Sequence, residues 1–542
     1  MRPSHPSFNR RFVRQGIAVF SILVTISVPL ESPARAVACS VPVVNGVFTV
    51  STEAHLALIG TDTNCSAESF VLANDIALSA SPWAPIADFE GTFDGNGHAI
   101  TDLQLSGIDA GLFNVAANGA TFSDLDITVA DSTNAVDQVG ALVGVSFGSL
   151  EIDDVDVTGD VFGSSGTVGG LVGAVWGSNV EISNSSVTGH VTSNGSYVGG
   201  VVGVAFGSSS VSVTSSGVTG NVTGDGYVGG VLGYVPNATV VVSSSSVVGN
   251  VTGTDFYVGG VIGMSATVTS VSVTSSGVTG NVTGHGYVGG LLGLVPNGAV
   301  TIASSPVVGN VTSTYSNLGG LIGMASSIQP VSVTSSGVTG DVTGTTYVGG
   351  LLGFVPNATV TIASSPVDGD VAGSGDNVGG LVGSLAGTSL LTLSDASYSG
   401  NVTGDDYVGG LVGFVPNAPF TVASASVLGN VTASGDNSGG LVGFAATSGS
   451  VSVSDSSVVG DTSGSQYVGG LFGFVPNAPV TIESTTVRGD VTGVFDPNVL
   501  FSGKNVGGLV GYAATSGSVS VSDSSVVGDT SGSQYVGGLF GF

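Results

Sequence analysis

The chain has 542 residues, of which 90 are glycine and only 8% are charged. Its formal net charge is −30, and the 42% of hydrophobic residues argues against a disordered chain. Both nucleic-acid binding and docking to anionic lipid need Lys and Arg to contact phosphate groups, so this composition argues against both.

The first 38 residues have the features of a signal peptide. A basic region at 10–14 precedes a mostly apolar stretch at 16–30, which is short for a membrane span. Small residues at Ala36 and Ala38 form a cleavage site before Cys39. The alternative is an uncleaved membrane anchor. No later stretch is a transmembrane candidate, so we expect a secreted protein, free or attached to the cell surface.

Cleavage after residue 38 would make the chain more acidic. Five of its seven basic residues and one of its 37 acidic residues precede Cys39. The mature chain keeps Arg488 and Lys504 against 36 acids, a net charge of −34. Such a charge keeps a long molecule in solution and makes its copies repel one another.

The two cysteines, Cys39 and Cys65, have two interpretations. In an exported protein they are candidates for a disulfide that closes the N-terminal segment. The small residue before Cys39 also fits a bacterial lipobox, although Ala36 stands where Leu is usual. Lipidation of Cys39 therefore remains an alternative.

Residues 39–138 precede the regular repeats. Short alternating runs such as Phe70–Leu78 and Phe89–Ile100 are separated by tight Asp-Gly and Asn-Gly turns. The terminal repeats of a stacked protein differ from the others because they cover the open end of the core. We therefore predict an N-terminal cap and the first coils in residues 39–138.

A variant of Val-Gly-Gly-Leu-Val-Gly occurs fourteen times in residues 139–542. The first spacing is 29 residues, and every later spacing is 30 except one of 38. Three short runs of alternating Val, Thr and Ser per repeat predict an all-β, right-handed parallel β-helix with coils of about 30 residues. Coils about 4.8 Å apart would give a rod about 65 Å long. The motif begins at Val139, Val168, Val198, Val228, Val258, Val288, Leu318, Val348, Val378, Val408, Ser438, Val468, Val506 and Val536.

A period of 60 residues is superimposed on the period of 30. Val-Pro-Asn recurs once in every two repeats, and the residue before the motif alternates between Tyr and Asn, as in Tyr347 and Asn377. Proline lacks a backbone donor and belongs at a corner between strands, so we predict two alternating coil types. The prolines are Pro236, Pro296, Pro356, Pro416 and Pro476.

A polar column follows a glycine in each repeat. Asn and Asp tolerate turn conformations and can form hydrogen bonds between stacked copies, so we predict a polar ladder that serves as a structural element or as a binding face. A threonine two residues further on would share its face. The ladder residues are Asn221, Asn250, Asn281, Asn310, Asp341, Asp370, Asn401 and Asn430.

The array has two irregularities near its end. The extra length between repeats at 494–501 predicts a loop that leaves one coil, either as a tolerated insertion or as a binding loop. Residues 445–474 and 513–542 are identical, and no capping sequence follows. We expect the natural protein to continue beyond this array, because an open end exposes strand edges and core.

The Gly-Gly-Leu-Val-Gly, Gly-Gly-Leu-Leu-Gly and Gly-Gly-Leu-Phe-Gly motifs resemble the GLUG repeat of bacterial surface proteins. That family includes adhesin-like proteins and N-terminal regions of immunoglobulin-A-specific metallopeptidases. The segment Phe89–Ile100, with Gly111-Leu112-Phe113, resembles the opening of pectate-lyase-like β-helices that carry such repeats. The resemblance covers about residues 70–542 and implies an exported β-helix used for display or adhesion.

The sequence lacks the arrangements that would indicate an enzyme. No His-Glu-x-x-His zinc motif and no Gly-Gly-x-Gly-x-Asp calcium nonapeptide occur, and two basic residues are too few for a polysaccharide lyase of the kind it resembles. The acids Asp153, Asp154 and Asp156 cluster, but acids recur in turns throughout, which favours a solvated face. We therefore predict a protein without catalytic residues, cofactor or metal.

Three functions remain open at this stage. The first is a non-enzymatic adhesin, stalk or display scaffold that contacts host or environmental glycans or matrix proteins by many weak contacts. The second is a β-helix that binds or cleaves polysaccharide, which a cluster of aromatic or acidic residues confined to one or two coils would favour; the sequence shows none. The third is an ice-binding or surface-binding solenoid, which needs flat and exposed Asn and Thr columns.

Overall fold

The computed structural model describes residues 39–79, 82–387, 390–447, 449–497, 502–513 and 518–541. The predicted signal peptide at 1–38 and half of the predicted loop at 494–501 lie outside the described residues. Within them, the chain is nearly all β, and its single helix is α1, Glu53–Thr61. The repeats form about 14 stacked turns of a parallel β-helix, which confirms the fold class expected from the sequence.

Most coils of the array contain five short strand segments, whereas the sequence predicts three strands. In one coil they span Gly286–Gly289, Leu292–Val295, Ala299–Ala303, Val307–Val308 and Val311–Ser313. The two additional breaks are turns within runs of Val, Ser and Thr. The sequence does not reveal them, because the residues before and after each turn are of the same types.

Each segment pairs in parallel with the same segment of the next coil. Val288 lies opposite Leu318, and Leu292 lies opposite Ile322. Three of the five segments belong to a large sheet, sheet A, and the other two form sheets B and C. Every described coil therefore presents the same repeat position at the same place, one coil above another.

Sheet B is built from the strands that follow the Gly-Gly motif. In the described residues these strands are Phe113–Ala117, Val143–Phe147, Val172–Trp176, Val202–Phe206, Leu232–Tyr234, Ile262–Met264, Leu292–Val295, Ile322–Ala325, Leu352–Val355, Val382–Leu385, Val412–Val415, Val442–Ala445, Phe472–Phe474 and Val510–Tyr512.

Sheet C is built from the strands that follow the polar column. In the described residues these strands are Val161–Gly163, Val191–Ser193, Val222–Gly224, Val251–Gly253, Val282–Gly284, Val311–Ser313, Val342–Gly344, Val371–Gly373, Val402–Gly404, Val431–Ala433, Thr462–Gly464, Val491–Gly493 and Thr530–Ser531.

The N-terminal region closes the start of the stack with α1. Thr52 caps this helix by accepting a hydrogen bond from the His55 N–H, and the helix places Leu56 and Ile59 in the same core as the coils. The strands of this region are Val43–Val44, Val47–Val50, Ser69–Leu72, Ile76–Ala77, Thr92–Ala110 and Ala120–Val139. Parallel pairing begins between Val47–Val50 and Ser69–Leu72, well before the first repeat motif.

Aliphatic side chains fill the interior of the coils. In the coil described above, Val288, Leu292, Ile302, Val307 and Val311 are each at most 1% exposed. Their copies in the neighbouring coils are buried in the same way, so one continuous core extends from the N-terminal region to Val510. Burial of this apolar surface is the main stabilising contribution.

The motif glycines allow the backbones to approach closely at one corner. A Cβ atom on Gly290 would overlap the carbonyl oxygen of Gly320 in the next coil, and one on Gly293 would approach that of Gly263 in the previous coil. Any larger residue would therefore push successive coils apart. This spacing constraint explains why the glycines of the motif recur through the array; Ala141 replaces one of them in the first repeat.

A second glycine requirement lies beside the polar column. Gly309 has φ +141, a conformation that glycine alone adopts readily, and a Cβ there would overlap the Gly280 carbonyl oxygen. The same backbone arrangement recurs at the other glycines that precede ladder residues. Both the backbone conformation and the available space therefore exclude other residues.

A column of buried serines crosses the core at the turn between two sheet A segments. The Ser276 N–H donates to the Ser305 hydroxyl at 3.1 Å, and the Ser305 N–H donates to the Ser336 hydroxyl at 3.0 Å. The Ser305 hydroxyl in turn donates to the Ala303 carbonyl oxygen at 2.9 Å. These hydroxyls satisfy backbone groups that have no access to water.

We expect Gly309→Ala to destabilise its coil by several kcal/mol, because it combines backbone strain with a backbone clash. Hydrogen exchange of peptides covering residues 300–345 would show the local loss of protection. Gly217→Ser is the matched control, since the neighbouring coils carry Ser186 and Ser246 at the same position. Each variant is compared in the peptides around its own substituted coil. An equal loss of protection in the two would contradict this account of the ladder glycine.

We expect Ser305→Ala to lower the free energy of unfolding by about 1–3 kcal/mol, because it leaves the buried Ser276 N–H without an acceptor. Ser305→Thr should cost less, since Thr485 occupies the equivalent place in another coil and is fully buried. Denaturant unfolding followed by circular dichroism measures both changes. If alanine and threonine have the same effect, the hydroxyl is not the stabilising group.

Candidate functional site

The two cysteines form a disulfide in the N-terminal region. It joins Cys39 to Cys65, which are 7% and 0% exposed. The bond ties the first described residue to the segment that follows α1. Because it uses both thiols, a molecule with this disulfide has no Cys39 thiol left to carry a lipid.

The polar column forms the ladder expected at the corner between sheets A and C. In each step, the side-chain oxygen of one ladder residue accepts the backbone N–H of the ladder residue in the next coil, at 2.7–3.1 Å between Asn221 and Asn430. The same pattern continues through Asp461 and Asp490. These oxygens replace hydrogen-bond partners that the corner removes from the backbone, so the ladder contributes to the structure of the corner.

Threonines lie on the strands at both sides of this ladder. Thr219 ends a strand of sheet A, whereas Thr223 lies on the sheet C strand Val222–Gly224. Asn221 lies between them, beside Gly220 with φ +141.

The acidic cluster at 153–156 takes part in contacts between coils. Asp153 accepts hydrogen bonds from the Ser183 hydroxyl at 2.6 Å and the Asn184 amide at 2.7 Å, and Asp156 accepts one from Ser186 at 2.6 Å. The two hydrogen bonds to Asp153 lower the pKa of its carboxyl. Both acids are therefore already engaged as acceptors between stacked coils.

Aromatic side chains occupy the last position of three consecutive sheet B strands. Phe147, Trp176 and Phe206 are register partners, and they are 50%, 45% and 41% exposed. The preceding residues of these strands are buried. Since stacked strands lie about 4.8 Å apart, the three rings form a short exposed row along the coil stack.

A tyrosine column begins in the coil of Phe206, at the position before the Val-Gly-Gly motif, and continues through the next three coils. Tyr197, Tyr227, Tyr257 and Tyr287 stack in sequence, with ring centroids 4.9, 4.8 and 5.3 Å apart and interplanar angles of 15–20°. Tyr257 and Tyr287 have φ +69 and +50, values that a bulky residue rarely adopts. Ring stacking between coils offsets part of that cost.

Further ring contacts join the row to the column. The Tyr234 ring lies 5.1 Å from Tyr227 and 6.3 Å from Phe206, whose ring is 5.0 Å from Trp176. We call this connected set the aromatic surface; it spans six coils, about 24 Å along the stack. Its members are Trp176, Tyr197, Phe206, Tyr227, Tyr234, Phe256, Tyr257, His285, Tyr287 and Tyr315.

The sequence shows no aromatic cluster confined to one or two coils, and the aromatic surface extends over six. The rings come from different repeat positions of six coils, so no short window of sequence contains the cluster. The usable signal is the spacing of Phe147, Trp176 and Phe206, together with the recurrent tyrosine before the motif. Alignment of the repeats in register would have identified it.

Carboxylates border the aromatic surface. Asp225 and Asp255 are exposed and lie in successive coils, where the Thr254 hydroxyl donates to Asp225. Burial raises the pKa of the Tyr257 phenol, and its electrostatic interactions with Tyr287 and Asp255 raise it further. The surface thus combines apolar rings, phenol hydroxyls and acidic acceptors, and no Lys or Arg lies between residues 39 and 487.

A second aromatic cluster lies in later coils beside partly buried acids. Burial raises the pKa of Asp406, which accepts the Asp436 N–H at 2.6 Å, and burial also raises the pKa of Asp436. The members of this cluster are half-buried, unlike Trp176 and Phe206. They are Tyr407, Phe414, Phe444, Tyr467, Phe474 and Tyr512.

The described residues contain neither a metal-binding cluster nor a membrane-spanning helix. No group of three or more His, Cys, Asp or Glu side chains is arranged to hold a metal ion there. No helix among those residues is long and apolar enough to cross a membrane.

The fold defines a parallel β-helix of stacked coils, and the comparisons with known proteins add a partial relative. No family model matches the chain. It is 34% identical over 145 residues to Halomucin from Haloquadratum walsbyi, which covers 24% of this chain and 2% of that protein. The chain thus spans a small fraction of the curated relative that it matches.

Two solved structures superpose on the chain at low scores. A candidate immunoglobulin A1 protease from Bacteroides ovatus has a TM-score of 0.33 and 15% identity over 48% of this chain and 75% of the other. An IgA1 protease has a TM-score of 0.22 and 16% identity over 71% of this chain and 22% of the other. These scores are too low to support a shared function.

We expect Asp406→Asn to raise the free energy of unfolding at pH 7 by up to about 1 kcal/mol, because it removes a partly buried charge whose pKa is raised by folding. The asparagine oxygen can still accept the Asp436 N–H. The gain should vanish below about pH 4, where the wild-type carboxyl is protonated in both states. Denaturant unfolding at pH 7 and pH 3 measures it, with the exposed Asp368→Asn as control; an equal effect of both variants would contradict the role of burial.

Proposed function

We propose that this protein is an exported, non-enzymatic β-helical rod that works at or outside the cell surface as an adhesive scaffold. The observation that carries the proposal is the aromatic surface, a connected set of exposed and half-buried rings spread over six coils. Contiguous exposed apolar surface on a protein usually marks a site of interaction. A stacked scaffold holds such a surface rigid over a long distance.

Several features support the extracellular location. The sequence of residues 1–38 has the basic, apolar and small-residue regions of a signal peptide. A disulfide between Cys39 and Cys65 fits an oxidising compartment. The partial similarity to Halomucin, a protein named as a mucin, and the resemblance of the motifs to GLUG repeats of surface proteins agree with this location.

The non-enzymatic part of the proposal is supported by what the described acids and histidines do. Asp153 and Asp156 bind side chains of the next coil, and His190 accepts the Asn221 N–H as part of the ladder. His98 lies 3.1 Å from Asp75 in a separate N-terminal pair. A hydrolase needs its acid and base to converge on one substrate bond, whereas these groups contribute to separate structural contacts.

We expect the protein to reach the surface or the medium with Cys39 as its first residue. Cell fractionation, protease shaving of intact cells and mass spectrometry of the N-terminal peptide test this together. A peptide that links Cys39 to Cys65 before reduction would support the disulfide, whereas the mass of an acyl chain on Cys39 would support the lipoprotein alternative.

Two results would contradict the proposal. One is retention of the uncleaved chain inside the cell. The other is release of new reducing ends when the purified protein is incubated with polysaccharides, which would indicate an enzyme.

A further inference from the structure

We infer that the aromatic surface binds a linear, uncharged polysaccharide whose chain lies along the coil stack. The inference rests on the proposed function and names its binding partner. Sugar rings have apolar C–H faces and polar edges, so they match aromatic rings flanked by hydrogen-bonding groups.

The exposed rings point to the position of the sugar chain. Trp176 and Phe206 are 45% and 41% exposed, and Phe147 continues their row at 50%. The tyrosine column starts in the coil of Phe206 and continues through the next three coils, with its rings stacked on one another. We therefore place one stretch of the sugar chain on the row and the next stretch along the tyrosine column.

The length of the surface favours a polymer. The connected rings extend over six coils, about 24 Å, so a ligand that contacts all of them has to be long itself. Each contact is weak, and several along one rigid scaffold add to a useful affinity. A small molecule would occupy one coil and leave the others uncovered.

Charge selects among periodic partners. The mature chain has two basic residues against 36 acids, and Asp225 and Asp255 border the rings. An acidic polysaccharide would find no cation to pair with and would be repelled, as would a second copy of this chain. The exposed carboxylates can instead accept hydrogen bonds from sugar hydroxyls.

A basic polypeptide is the main competing partner, because cations also bind ring faces and carboxylates. The arrangement of the rings favours the polysaccharide. Asp225 and Asp255 lie beside the tyrosine column, whereas the most exposed row, Phe147, Trp176 and Phe206, comes from sheet B strands that contain no acid. A basic chain would need acids along that row.

Affinity electrophoresis of the exported protein tests this in gels that contain one polysaccharide each. The probes are mixed-linkage β-glucan, galactomannan and dextran as neutral polymers, and polygalacturonate as an acidic one. Polylysine in solution serves as the basic arm. We expect retardation by at least one neutral polymer and none by polygalacturonate.

Two variants locate the site. Trp176→Ala with Phe206→Ala removes exposed rings and should weaken retardation about tenfold or more. Tyr257→Asn with Tyr287→Asn inserts the residue that the chain itself carries at Asn317, at φ +62, so the fold should tolerate it. The control is Leu428→Ala with Val459→Ala, which trims two exposed apolar side chains of sheet A and should bind like wild type.

The outcomes are distinct. Retardation that is lost in both aromatic variants and kept in the control supports the inference. Thermal melting of each variant identifies any that is misfolded. If the Trp176 variant is misfolded, the result of the tyrosine variant decides. No retardation by a neutral polymer, equal retardation of all variants, or binding to polylysine alone would overturn it. A surface-exposed protein that binds cells but no polysaccharide would overturn this inference alone, whereas an intracellular protein would overturn the proposed function as well.

Discussion

The close, in-register approach of successive coils is the constraint on which the rest of the molecule depends. At the motif corner the backbones approach so closely that a Cβ on Gly290 would overlap the next coil, and at the ladder corner Gly309 needs both space and a conformation that other residues avoid. These glycines let successive coils stack closely. In that stacking, buried aliphatic residues of one coil meet their copies in the next, and a continuous core results.

The same stacking decides where polar groups can be buried. A corner interrupts the hydrogen bonds of a sheet, so its backbone groups need other partners. In this chain the partners are side chains that recur with the repeat: Ser305 and its copies inside the core, and Asn281 and its copies at the surface. A protein with very few charges can thus satisfy its backbone by short polar side chains alone.

Stacking also turns repeat positions into surfaces. Phe147, Trp176 and Phe206 are about 30 residues apart in sequence and lie side by side in sheet B, and the tyrosines before the motif form a neighbouring column. No single coil has a special composition, yet six coils together present a connected set of rings. A scaffold of this kind acquires a binding surface by small substitutions at repeated positions, and its overall charge then limits which partners approach.

The sequence by itself determined the parallel β-helix, its coil length and the existence of the polar ladder, because these depend on a period that is visible residue by residue. It did not reveal the five segments per coil, the buried role of Ser305 or the aromatic surface. A serine in a buried turn cannot be told from a serine on an exposed strand by sequence. Only the packed structure shows that Ser305 is fully buried. Trp176 and Phe206 stand at one repeat position and Tyr234 stands at another. Their rings come into contact because the turns of the folded coil bring these two positions close together.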